Sequence, residues 1–218
     1  MSETTTTTTH SPFLQHHYAE MEQQVDAGKI GMWLFLVTEI LLFGGLFVGF
    51  AIMSGRHHDA FRLAHEHLSR PLGALNTVIL LVSSFTMVMA VHSARHSRQK
   101  ALVRCLAATI ALAGAFLVVK YFEYSHKFHD GLLPGRFYAA GGPEPAGQAM
   151  FFSFYFMMTG LHGLHILAGM VVLTWLLVRS RRGHFSGAYY APVDLGGLYW
   201  HLVDMIWIYL FPLLYLIG

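Results

Sequence analysis

Ionisable side chains stand inside runs that are otherwise largely apolar in this 218-residue sequence, among them Glu39, Lys120, Glu123, His162, His165, His201 and Asp204. Carboxylates and imidazoles so placed can hold or pass a proton, ligate a metal or haem iron, or tie helices together by hydrogen bonds. Spacing helps to separate these uses. Lys120 and Glu123, His162 and His165, and His201 and Asp204 each stand one helical turn apart, so each pair shares a face. A bis-histidine haem site needs imidazoles facing one another from two helices at matched depth. His162 and His165 fall mid-run, whereas His92, His126, His129 and His201 fall near run ends. No cysteine cluster, HExxH or carboxylate–histidine set accompanies them. Hydrogen-bonded core histidines are therefore the favoured reading and no metal is expected; an intramembrane haem b electron carrier is the alternative of another class. Thr159, Gly160 and Gly163 are small enough to admit a close neighbour there.

Glu39 lies well inside the first run, where a carboxyl group must be paired or protonated. Its structural or lipid-contact role is favoured over proton transfer. Gly45 and Gly49 on the same run form a GxxxG arrangement that permits close backbone approach. Lys120 and Glu123 read as an interfacial ion pair, with a lysine stem long enough to reach the headgroups. His201 and Asp204 read as an interhelical hydrogen-bond node, in which the carboxylate can fix the imidazole tautomer.

The elements that must carry these groups are membrane spans. The chain is 55% hydrophobic and 12% charged, far too apolar for a soluble domain. Five runs are long enough to cross a bilayer as helices: about 30–53, 71–91, 102–124, 149–178 and 192–217. The expectation is an all-α, five-helix membrane bundle over 29–218, preceded by a polar tail over 1–28. That tail holds six consecutive threonines and lacks the basic and apolar regions of a secretory signal. Its histidines, with His92, His96 and His184, could hold or relay protons at the cytoplasmic face but are read as ordinary surface groups. The single Cys105 excludes an intrachain disulfide. A net charge of +2 without a basic block excludes a nucleic-acid partner.

Lysine and arginine set the expected orientation. With alternate loops on opposite sides, eight fall with the tail (Lys29, Arg95, Arg98, Lys100, Arg104, Arg179, Arg181, Arg182) and five on the other side (Arg56, Arg62, Arg70, Lys127, Arg136). The N-terminus is therefore expected in the cytoplasm and the C-terminus outside. The Gly- and Pro-rich connection over 125–148 reads as an external loop.

Five segments carry a resemblance: WLFLVTEILLFGGLF, LNTVILLVSS, the FEY closing the third span, TGLHGLHILAG and YWHLVDMIWIYLF. In this order, over 28–218, they resemble subunit III of the haem–copper respiratory oxidases, the cytochrome c oxidase subunit III family. TGLHGLH followed by YWHLVD at this separation is highly specific. The resemblance implies a non-catalytic subunit of a proton-pumping terminal oxidase in the bacterial inner membrane, cytochrome c-fed in the preferred reading. A component of a quinol oxidase or nitric-oxide reductase is the alternative. It implies no haem or copper in this chain, those lying in partner subunits, and packing on subunit I alongside subunit II and further respiratory subunits. It also implies bound phospholipid and support of proton uptake. Glu39 matches the family's buried, carbodiimide-reactive glutamate. Arg179, Arg182 and His184, in VRSRRGHF, align with a stretch that meets lipid headgroups, as an anionic phosphate would favour. Two spans that precede Trp33 in long members are missing, as in the shorter bacterial form. The buried polar set expected to matter is Glu39, Glu123, His162, His165, His201 and Asp204.

Overall fold

A computed structural model describes residues 14–16, 18–139, 144–187 and 189–216; the threonine run, His10 and His17 lie outside the described residues. Among these residues are six α-helices and one 3-10 turn: α1 (Met21–Arg56), α2 (His58–His65), α3 (Arg70–Arg95), α4 (Gln99–His129), the 3-10 turn (Gly135–Phe137), α5 (Pro145–Arg181) and α6 (Ala191–Tyr215). No strand occurs among the described residues beyond two isolated bridges. Five helices, all but α2, are long and apolar enough to cross a membrane. The all-α, five-span expectation holds.

Helix is the open-chain solution for these runs, because hydrocarbon offers no partner to a free amide. Pro71, Pro145 and Pro192 fall in the first turns of α3, α5 and α6, where a missing N–H costs little. Helices α1, α3, α4 and α5 run on past their apolar stretches at both ends. At 37 residues α5 is about 55 Å long, well over a ~30 Å hydrocarbon core. Likewise α1 begins at Met21, inside the stretch read as a tail, and Gln24 Oε1 accepts from the Gln15 amide at 2.8 Å. Gly183, just past α5, takes the left-handed conformation (φ 73°) that closes many helices. In the 125–148 connection, the Tyr138 hydroxyl donates to Gln148 Oε1 at 2.6 Å, and burial pushes its phenol above the ordinary value.

The centre of the bundle is α6, which packs on α3, α5 and α1, while α3 pairs with α4 and α4 with α5. Trp200 and Trp207 of α6 are completely buried. Trp200 donates its indole N–H to Ser83 Oγ at 2.9 Å and Trp207 to Thr77 Oγ1 at 3.1 Å, fixing α6 against α3. Close approach to α5 is made at Gly169, where a Cβ would stand 2.7 Å from the Trp200 ring. The glycines singled out by sequence do something else. Gly45 and Gly163 have open space around them, and Gly49 meets the ring of Phe154 rather than a backbone. At one end of the bundle Arg95 pairs with Asp194 at 2.8 Å and Ser97 Oγ accepts from the Gly187 amide, tying the α3–α4 turn to the α5–α6 connection.

Helix α2 escaped the sequence reading. It is short and amphipathic, burying Ala60, Phe61, Ala64 and His65, with Phe61 edge-on to Phe151 of α5 at 5.4 Å. By contrast α1 is the outermost span: among its residues only Leu36, Phe43 and Phe50 are buried.

Candidate functional site

Two of the polar residues picked out separately by sequence meet across the bundle. Glu39 of α1 and His165 of α5 lie with Oε2 and Nε2 at 2.7 Å, both side chains largely shielded. The proton inventory follows from the other ring nitrogen. His165 Nδ1 stands 2.8 Å from the Leu161 carbonyl, which can only accept, so Nδ1 carries hydrogen. Nε2 then either accepts from a protonated Glu39 or, itself protonated, donates to the carboxylate. In both cases one proton occupies the gap and the pair is neutral overall, which is how a carboxyl group persists at that depth. Phe43 lies edge-on to the His165 ring at 5.3 Å, and Tyr199 of α6 donates to the His165 carbonyl at 2.9 Å. Three helices thus converge on His165.

Glu123 organises a second knot. Its Oε1 accepts from Tyr215 at 2.6 Å, Tyr155 at 2.9 Å and Lys127 at 3.3 Å, and its Oε2 accepts from Lys120 at 2.8 Å. Lys120 also donates to the Tyr215 hydroxyl at 2.7 Å, and its ammonium lies 4.7 Å from the Trp207 ring centre. The expected Lys120–Glu123 pair is present, but Lys120 is 7% exposed and turns inward. Aromatic faces and hydroxyls from α5 and α6 hold the ammonium better there than a stretched stem reaching for headgroups would. Spacing within α4 showed the pair; Tyr155 and Tyr215, from distant helices, carried no local signal.

His162 and His165, one turn apart, diverge. His162 is fully buried, stacked on Trp207 at 5.3 Å and edge-on to Phe116. Neither of its nitrogens has a hydrogen-bond partner among the described residues, and the Asp204 carboxyl has the Ser84 hydroxyl of α3 beside it. The imidazole–carboxylate pairing expected of His201 and Asp204 is not formed. His201 Nδ1 instead bonds Ser84 Oγ of α3 at 2.8 Å, so it is an interhelical node with a different partner. Among the described residues, His, Cys, Asp and Glu side chains do not gather in threes.

Arg179, Arg182 and His184 are exposed at the end of α5 nearest the start of α6. The Arg179 guanidinium lies 4.7 Å from the Trp175 ring centre, which holds it beside an exposed indole.

Fold and site together define a multi-pass membrane subunit whose polar interior joins its own helices. The cytochrome c oxidase subunit III family model matches residues 6–218, and the chain belongs to that family. It is 30% identical over 203 residues to a quinol oxidase subunit 3 of Bacillus subtilis (strain 168), covering 92% of this chain and 93% of that one. A probable quinol oxidase subunit 3 of Staphylococcus aureus (strain NCTC 8325 / PS 47) is 29% identical over 194 residues, covering 88% and 90%. The chain is accordingly a non-catalytic subunit III of a haem–copper oxidase, one component of an oxidoreductase complex with subunit I, in the bacterial plasma membrane.

Proposed function

We propose that this subunit stabilises a proton-pumping, O2-reducing terminal oxidase fed by cytochrome c, with its N-terminus in the cytoplasm. The observation that supports this best is the use made of its ionisable groups. Glu39 closes on His165 across α1 and α5, and Glu123 closes on Lys120 and Lys127 of its own helix α4 and on Tyr155 and Tyr215 of α5 and α6. Haem and copper then belong to partner subunits, and electron transfer with them. Arg179, Arg182 and His184 take an anionic phospholipid headgroup, and the cluster of positive charge at that end supports the cytoplasmic assignment. The Glu39–His165 proton makes the pair able to exchange with the uptake side as well as to clasp α1.

The relatives' names favour a second reading for the donor, a membrane quinol, since both are named for quinol oxidases. Purifying the native complex and comparing oxygen uptake driven by reduced cytochrome c with uptake driven by a quinol decides between them. Cytochrome c-driven turnover that declines faster when this subunit is stripped is the expected result. Turnover with quinol alone would move the assignment to the second reading. A stoichiometric Soret band from the isolated chain would replace both with a haem carrier.

A further inference from the structure

We infer that the face formed by α1, α6 and α3 is where the haem-bearing subunit docks, with His201 as the polar contact at its middle. The inference rests on the family assignment for its partner and adds the surface. His201 lies about 15 Å along the axis from the first residue of α6, half the thickness of a ~30 Å hydrocarbon core and deeper than the run-end position its sequence context suggested. It is half-buried, with Nδ1 satisfied by Ser84, while Nε2 has no hydrogen-bond partner among the described residues. An imidazole nitrogen turned to lipid at that depth loses its hydrogen bonds to water and gains nothing.

Shape agrees with polarity. Leu198, His201, Met205 and Ile208 make a ridge along α6, spaced three and four residues apart. A groove of about 270 Å³ lies on its α3 side, with Val88, Val91, His92 and the Arg95–Asp194 ion pair in its wall. A second of about 370 Å³ lies on its α1 side, where Gly44 leaves the wall open. A ridge between two grooves accepts ridges from another helix. A transmembrane helix that fills the α1-side groove with apolar side chains and offers hydrogen-bonding groups to Nε2 and the polar α3-side groove fits this surface; an acyl chain fills the apolar groove and leaves Nε2 bare. The α4–α5 face also carries a groove, of about 220 Å³, but its Lys120 and Tyr124 are satisfied within the subunit, by Glu123 and Thr159. Leu164, Leu167 and Val171 are exposed there as hydrocarbon, Tyr124 bonds Thr159 at 2.5 Å, and Thr174 turns back to the Met170 carbonyl.

Photo-crosslinking in the native membrane tests the face. Val88→p-benzoylphenylalanine and Ile208→p-benzoylphenylalanine place probes on it; Leu164→p-benzoylphenylalanine and Val171→p-benzoylphenylalanine place them on the α4–α5 face. All four sites are exposed, so folding is retained, and co-purified haem reports the complex. The expected result is an adduct with the haem-bearing subunit, identified by peptide masses, from Val88 and Ile208 and its loss from Leu164 and Val171. Co-purified haem with adducts from Leu164 and Val171, or with lipid adducts alone from Val88 and Ile208, overturns the face and leaves the family assignment intact. Absence of haem overturns the partner itself. As a second readout, His201→Leu lowers the haem retained per subunit and His201→Gln, which can still hydrogen-bond, restores it.

Discussion

Glu123 is opposed by two ammonium groups inside the bundle, so its charge is the one whose removal leaves the most unbalanced. Glu123→Gln keeps acceptors for Tyr155 and Tyr215 but strands Lys120 and Lys127. The expected cost is about 3–5 kcal/mol, as for one broken partner of a buried pair, read as a lowered unfolding temperature in nanodiscs. Glu39 predicts a graded outcome. Glu39→Gln presents an amide N–H to His165 Nε2 and should stay within about 1 kcal/mol of the parent, whereas Glu39→Ala leaves the nitrogen bare and should cost about 1–3 kcal/mol. Thermal unfolding of the two variants side by side checks this; equal losses would deny the hydrogen bond. Sequence made Glu39 and His165 legible as buried polar groups but not as partners, because a separation of 126 positions carries no local periodicity. His201 and Asp204 show the converse. Their one-turn spacing suggested a pair, yet Ser84 of α3 is the nearer answer to the imidazole. Spacing along one helix states which side chains share a face, not what a second helix brings to it.

At the scale of elements, hydrophobicity located all five spans because a backbone in hydrocarbon has one solution, and the runs are too long for anything else. It placed their ends poorly. Helices continue into polar residues wherever neighbours support another turn, as Met21–Arg56 does well before its apolar core starts. Helix α2 was illegible for a different reason: eight residues of mixed polarity become a helix because α5 offers Phe151 for Phe61 to lie against. The glycines make a matched prediction. Gly169→Ala forces its new methyl into the Trp200 ring and should destabilise by about 1–3 kcal/mol. Gly163→Ala, with nothing within 4 Å, should be neutral or stabilising by up to about 1 kcal/mol through lower backbone entropy. Denaturation of the two proteins in parallel reads the opposite signs.

For the whole molecule, arginines dominate one end, and Arg179 and Arg182 stand exposed there. Replacing both with glutamine should lower the anionic phospholipid that co-purifies, at about 1 kcal/mol per charge, while leaving zwitterionic lipid unchanged. Lipid mass spectrometry of the purified complex measures the ratio. An unchanged ratio would place the headgroup site elsewhere.

The outlying position of α1 has a consequence for how the chain is made. Of the five spans it leaves the ribosome before the other four, and the helices it leans on, α5 and α6, come latest among them. At roughly 5–20 residues per second, the stretch from Glu39 to His165 takes about 6–25 s to synthesise. Through that interval Glu39 must wait in the bilayer as a neutral acid, or beside an insertion factor that shields it, until its imidazole arrives. Nascent chains arrested before His165 should therefore expose Glu39 to a lipid-soluble carboxyl reagent, and release of the arrest should close that window.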